Sequence, residues 1–319
     1  MRFPALAARL LAVLAAAAAC TDGGATIVPY APDIFAANIN TATGLITSGM
    51  FVSFAGLGPL IHVAGTSPTA PYFPDSLRGR TFTWNTGSHA YAFATQDTSP
   101  ARGVRFILYD ADSTGRPLEP TNQLGTATFQ DGPLDTTALH VFADGGASQP
   151  TLAYLLSGSF HGDSFQAIAK GCMYDATRNL CITAGMQQHV VSGDTVVTIS
   201  GTASGTAVGF TFEIVFHFSA AGLADTLDVS ALAPALQSQQ IRMAGTTQFG
   251  TTTKADLSLT VNDEPFATVR GTGTLTVRRS NGEALSADEQ ALIGAMFSLP
   301  GELFDVCRAL ARPGQRLLS

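Results

Sequence analysis

Charge is scarce in this sequence. Asp, Glu, Lys and Arg make up 13% of the 319 residues, against about a quarter in an ordinary soluble domain. Lysine is nearly missing, with only Lys170 and Lys254. The 17 basic residues are outnumbered by 24 acidic ones, so the clustered cations that phosphate contacts require are lacking and nucleic acid is excluded as a partner. A hydrophobic content of 45% excludes a disordered chain. Long apolar runs are absent near the N-terminus, where Leu10 to Ala19 is too short to cross about 30 Å of hydrocarbon. Catalytic signatures are lacking as well: there is no Gly-x-Ser-x-Gly elbow, Ser-x-x-Lys, His-Glu-x-x-His or phosphate-binding loop. The expectation is a protein that is not an enzyme and needs no cofactor.

What is present begins with an address. Arg2 and Arg9 precede the apolar run, which ends in Ala17, Ala18 and Ala19 directly before Cys20. A charged n-region, a short h-region and small residues at a cleavage point make a secretory signal. An ordinary signal cut near Ala19 would leave Cys20 an incidental thiol. The small residues leading into Cys20 resemble the lipobox of bacterial lipoproteins, with Ala17 where that family has Leu, Val or Ile. The resemblance implies cleavage before Cys20 and a diacylated Cys20 as the new N-terminus. Two or three chains, at about 0.8 kcal/mol per buried CH₂, hold where a single chain does not. It also implies the outer membrane, because Thr21 rather than Asp follows the cysteine. Thr21, Asp22, Gly23 and Gly24 suit a flexible tether. Losing Arg2 and Arg9 takes the formal charge from −7 to −9.

Three further cysteines remain. Cys172 and Cys181 share a short segment, Gly171 to Ile182, and an oxidising compartment makes a disulfide between them the natural reading. A zinc site is the rival, but no nearby histidine or second cysteine pair offers tetrahedral spacing. Cys307, among Phe304, Val306 and Leu310, reads as a buried small hydrophobe. The metal candidate is Asp110, Asp112 and Thr114 with Gly115, which match the start of a calcium loop. The twelfth position is Thr121 rather than Glu, and Asp and Gly after a strand are usually turn formers. No metal is therefore assigned.

Residues 1–19 are read as signal peptide, 20–32 as lipidated tether and 33–319 as one mainly-β domain. Within 33–75, Ile34 to Pro74 holds no Asp, Glu, Lys or Arg, and Ile34, Ala37, Thr41, Leu45 and Ile46 recur at roughly helical spacing. This segment reads as a buried helix or loop on a sheet, or as a surface meeting lipid or another envelope protein. Residues 81–279 alternate with period two. The clearest case is Phe210, Phe212, Ile214, Phe216 and Phe218, with Thr211, Glu213 and His217 between them. One apolar and one polar face predict antiparallel strands over a core, about nine to twelve of them joined as meanders. Residues 286–312 switch to helical period. Ser286-Ala-Asp-Glu289 is a capping box, Pro300 is expected to break the helix, and Gly301 to Ala311 to form a second one. The fold class is thus mainly β: a large antiparallel, meander-type curved sheet, half-barrel or sandwich, with an N-terminal helical segment and C-terminal helices packed on it.

These features support a membrane-anchored, non-catalytic envelope lipoprotein. Its partners are the membrane, through N-terminal acyl chains, and an apolar ligand or lipid held on the face of Phe210, Phe212, Ile214, Phe216 and Phe218. A first alternative is an assembly protein docking an envelope partner through Ile34–Pro74. A second is a loop-built hydrolase or carbohydrate-binding domain, which requires histidines and carboxylates such as His161, His217, Asp163 and Asp194 to converge. Trp84 and Tyr91 offer either an amphipathic rim or core packing.

Overall fold

A computed structural model describes residues 31–61, 71–94, 100–112, 115–132, 138–145, 150–161, 164–233 and 239–317. Cys20 and the tether lie outside the described residues. The fold is mainly β, with fifteen strands of one mixed sheet. In chain order the elements are α1 (Pro32–Thr43), α2 (Gly49–Leu60), β1 (Arg80–Asn85), β2 (Ala90–Phe93), β3 (Gly103–Tyr109), β4 (Gln123–Asp131), β5 (Leu139–Asp144), β6 (Thr151–His161), β7 (Ser164–Tyr174), β8 (Asn179–Val191), β9 (Asp194–Gly205), β10 (Gly209–Ser219), β11 (Gly222–Ala233), β12 (Gln239–Phe249), β13 (Lys254–Val261), β14 (Glu264–Thr272), β15 (Thr274–Arg279) and α3 (Ala287–Leu317). The strands exceed the nine to twelve expected because short ones, such as the four residues of β2, are below the window in which alternation can be read.

The chain divides into two compact units. The first holds Gly44–His189 and the chain from Asp305 onward; the second holds Val190–Phe304 and the chain up to Thr43. In the first unit, β3 to β8 pair in sequence order as antiparallel neighbours. The exception is β1, which pairs parallel with β3 and antiparallel with β2. Helix α2 begins at the N-cap Ser48, whose hydroxyl accepts from the Phe51 amide at 3.3 Å. The glycines that weaken a helix by propensity are explained by packing: a Cβ on Gly56 would lie 2.2 Å from the Gly115 carbonyl oxygen. Phe54 stacks on Phe129 and meets Tyr154 edge-on. The Tyr154 hydroxyl donates to the Leu310 carbonyl at 2.9 Å, tying α3 to β6.

In the second unit, β9 to β15 form an uninterrupted antiparallel meander. Helix α1 buries Phe35 and Ile39. Helix α3 starts at the expected capping box, with the Ser286 amide donating to Glu289 at 2.8 Å and the Glu289 amide to the Ser286 hydroxyl at 3.3 Å. It does not break at Pro300. A proline there removes one helical hydrogen bond and crowds the preceding turn, yet Leu299, Leu303 and Phe304 around it are all buried. Their burial outweighs the local cost, so one helix stands where two were expected.

Candidate functional site

The apolar face expected to hold a ligand is occupied by the protein itself. Phe210, Phe212, Ile214 and Phe216 are buried, and Phe218 is half-buried. Phe304 of α3 packs on this row, its ring 4.7 Å from Phe216 and 5.9 Å from Phe218. The cavity beside them measures about 60 Å³ and is lined by residues including Phe216, Asp225, Thr247, Phe297 and Pro300. A chamber for an organic ligand starts at roughly 300 Å³, so this space suits a few waters. The uncharged N-terminal segment is also inward-facing: Phe35, Leu45, Met50, Phe54 and Phe73 are at most 1% exposed. Ile34 is its one large exposed apolar side chain among the described residues.

The opposite, polar face of the second unit carries a groove of about 640 Å³ across β10 to β14. Register explains its lining. His217, Ala224, Gln248, Lys254 and Thr272 stand directly opposite one another on successive strands. The next row is Val215, Thr226, Thr246 and Asp256. Because side chains alternate along a strand, both rows share the polar face. Two of the polar side chains are engaged within the fold. His217 Nε2 lies 3.1 Å from an Asp194 carboxylate oxygen, and Asp256 accepts from Arg270 at 2.7 Å. Lys254 has no ion-pair partner among the described residues, and it is exposed. Asp194 and His217 are thus one of the convergences that sequence spacing left open.

Asp225 also borders the groove but belongs to the apolar row of β11, opposite Phe216 and Thr247. It is 7% exposed. Its carboxylate accepts from the Thr247 hydroxyl at 2.6 Å and from the Thr247 amide at 3.2 Å. Burial penalises the charged form and pushes the carboxyl up to about 6, against the opposing pull of the Thr247 hydrogen bonds. Asp225, Thr247 and Lys254 were not singled out from sequence. One signal for Asp225 was there: in Leu223, Asp225, Leu227, Val229 and Ala231 it is the lone polar member of an apolar alternation.

The remaining candidates resolve locally. Cys172 and Cys181 face each other on β7 and β8 and are disulfide-bonded. Cys307 is buried, which pushes its thiol up to about 12 and makes it unreactive. Asp110 accepts from the Asn122 side chain at 2.6 Å, and Asp112 accepts from the Arg116 amide at 3.2 Å. Those carboxylates serve a turn, and Thr114 lies outside the described residues. No group of three His, Cys, Asp or Glu side chains suited to a metal occurs among the described residues. His89 pairs with Glu119 at 3.6 Å, while Asp163 lies outside the described residues. Trp84 is buried in the core and meets the half-buried Tyr91 edge-on, and Tyr91 donates to the Ile107 carbonyl at 2.9 Å. Arg178 is held by Asp175 in the β7–β8 turn. No protein-family model, curated protein or solved structure matches the chain.

Proposed function

We propose that the protein is a non-catalytic binding module of a bacterial cell envelope, acylated at Cys20 and held at the outer membrane. Its ligand is polar rather than apolar: a hydroxyl-bearing molecule with one acidic group, of which an acidic saccharide is the natural class. The observation that carries this reading is the exposed row His217, Gln248, Lys254 and Thr272 along a groove of about 640 Å³. Gln248 and Thr272 offer both donors and acceptors to hydroxyl groups. Lys254 supplies a cation with no carboxylate at ion-pair distance among the described residues. The volume falls in the usual range for small-molecule sites. Central strands cannot add a peptide strand at this place, because their backbone groups are already paired on both sides.

The test is a titration of the protein with acidic and neutral oligosaccharides. Lys254→Ala should weaken the acidic ligands by about tenfold, the value of one charge-assisted hydrogen bond, and leave neutral ones unaffected. Absence of binding by both classes, or equal binding by wild type and variant, overturns the reading.

A further inference from the structure

The first unit carries its disulfide on the outward face of the sheet. On β7, Ala169 and Met173 are buried, while Ile168, Lys170 and Tyr174 alternate with them and are exposed. Cys172 belongs to that outward row, and Cys181 stands directly opposite it on β8. Both cysteines are half-buried. Large apolar side chains surround the bond on the same face. Phe142 stands opposite Ala153, which stands opposite Cys172. Leu155 lies one row away, opposite Lys170, and Ile168 and Tyr174 share the row of Cys172 along β7. Phe142, Leu155, Ile168 and Tyr174 are each at least 40% exposed, and strand spacings put them within about 15 Å of the cysteines. Apolar side chains clustered in this way mark an interaction surface, where scattered ones do not. Strands β6, β7 and β8 contain no Asp or Glu, and their one Lys or Arg is Lys170, two positions from Cys172.

The hairpin does not depend on this bond for its geometry. Residues Phe165 to Tyr174 of β7 pair in unbroken register with Asn179 to Gln188 of β8. The turn between them is closed by other means. The Asp175 amide donates to the Arg178 carbonyl at 2.9 Å, and the Asp175 carboxylate accepts from the Arg178 amide at 2.7 Å. The same carboxylate accepts from the Arg178 guanidinium at 2.6 and 2.8 Å. Met173, Leu180 and Ile182 anchor the inner face in the core. Reduction therefore leaves two thiols facing each other in a folded hairpin, and what is lost is the constraint on the unfolded chain. A thiolate formed there shares its face with a lysine and with no carboxylate of these strands, which favours the charged form. Accessible disulfides of this kind are the exchangeable ones.

We propose that Cys172–Cys181 is a thiol–disulfide exchange site, and that the apolar patch around it docks the dithiol protein that reduces it. A thiolate of the partner attacks one sulfur, the Cys172–Cys181 bond breaks, and the displaced sulfur leaves as a thiolate that takes a proton from water. The partner's second thiol loses its proton and attacks the mixed disulfide, which releases the other cysteine to take up that proton. Two electrons pass to the Cys172–Cys181 pair, and the partner leaves with a disulfide of its own. A protein dithiol must bring a close-fitting surface against the bond before exchange, and the centre of such a contact is apolar and poor in charge. The patch has that character, and the bond lies within it. A small thiol needs only access.

The test uses the folded chain with Cys20→Ser, so that the one other free thiol is the buried Cys307. The reductants are dithiothreitol and a reduced Cys-x-x-Cys oxidoreductase. Both should free the Cys172 and Cys181 thiols, counted by maleimide labelling, with the circular dichroism spectrum unchanged. The protein dithiol should be the faster at equal concentration. Leu155→Ser with Ile168→Ser should slow the protein dithiol about tenfold and leave dithiothreitol unaffected. A Cys-x-x-Ser form of the oxidoreductase should be trapped as a mixed disulfide on Cys172 or Cys181, a readout that needs no change to the patch. Reduction only in denaturant overturns the proposal, as does loss of the folded spectrum on reduction, since either makes the bond a structural staple. Equal rates for the chain with and without the patch substitutions overturn the docking surface. Self-association or vesicle binding that the same substitutions abolish also overturns it, by assigning the patch to a second copy or to lipid.

Discussion

Asp225 is a carboxyl placed in a row of leucine, valine and alanine. Such a group either charges at a cost or keeps its proton. Its folded pKa of about 6 lies above the ordinary 3.8, so between those values the folded chain binds more protons than the unfolded one. Stability contributed by the protonated carboxyl is complete below pH 3.8 and is lost as pH rises through 6. The loss amounts to about 3 kcal/mol. Asp225→Asn keeps the oxygen that accepts from Thr247 but removes the titration. Urea midpoints measured at pH 4.5 and 7.5 should therefore fall more in wild type than in Asp225→Asn. Parallel profiles would show that Asp225 titrates normally. The same reasoning on geometry alone applies to the disulfide. It joins cysteines nine positions apart, and Cys172→Ser with Cys181→Ser should cost about 2–3 kcal/mol in the chain-entropy account, as read by thermal unfolding.

The start of α3 shows how one side chain can hold two elements. Glu289 closes the capping box with Ser286 and forms a buried ion pair with Arg279 at the end of β15. Ser286→Ala should cost about 1 kcal/mol, the value of a cap. Glu289→Ala should cost about 3 kcal/mol, because it removes the buried partner of the Arg279 guanidinium and leaves it the more exposed Glu283 at 3.1 Å. Denaturant titration of both variants would check the order; equal losses would mean the ion pair adds nothing. The box was legible because four residues contain the whole device. The unbroken course of α3 was not, since Pro300 argues locally for a break and only the burial of Leu299 and Phe304 decides otherwise. Likewise the alternation of Phe210 to Phe218 identifies an apolar face, but says nothing of whether a ligand or a helix covers it. The groove lies in the register of five strands. Ala224 opposite Gln248 opposite Lys254 is a fact about pairing that no single stretch of sequence contains.

For the whole molecule, the decisive prediction concerns Cys20. Cys20→Ser should move the protein from the membrane fraction to the soluble one in high salt, where purely electrostatic attachment is screened. A variant that stays with the membrane there would sink the lipoprotein reading. The order of strands bears on how the chain is made. Nearly every strand pairs with its successor, so contacts are local and the sheet can be laid down progressively from the N-terminus. The cover comes last: residues 287–304 close the apolar row of one unit, and residues 305–317 pack on the other. A chain stalled or clipped before residue 287 has its strands but loses the cover that Phe304 gives Phe216 and Phe218. That uncovered row would mark copies lacking α3 for proteases and chaperones, so the helix reports on whether its own segment has been made and seated.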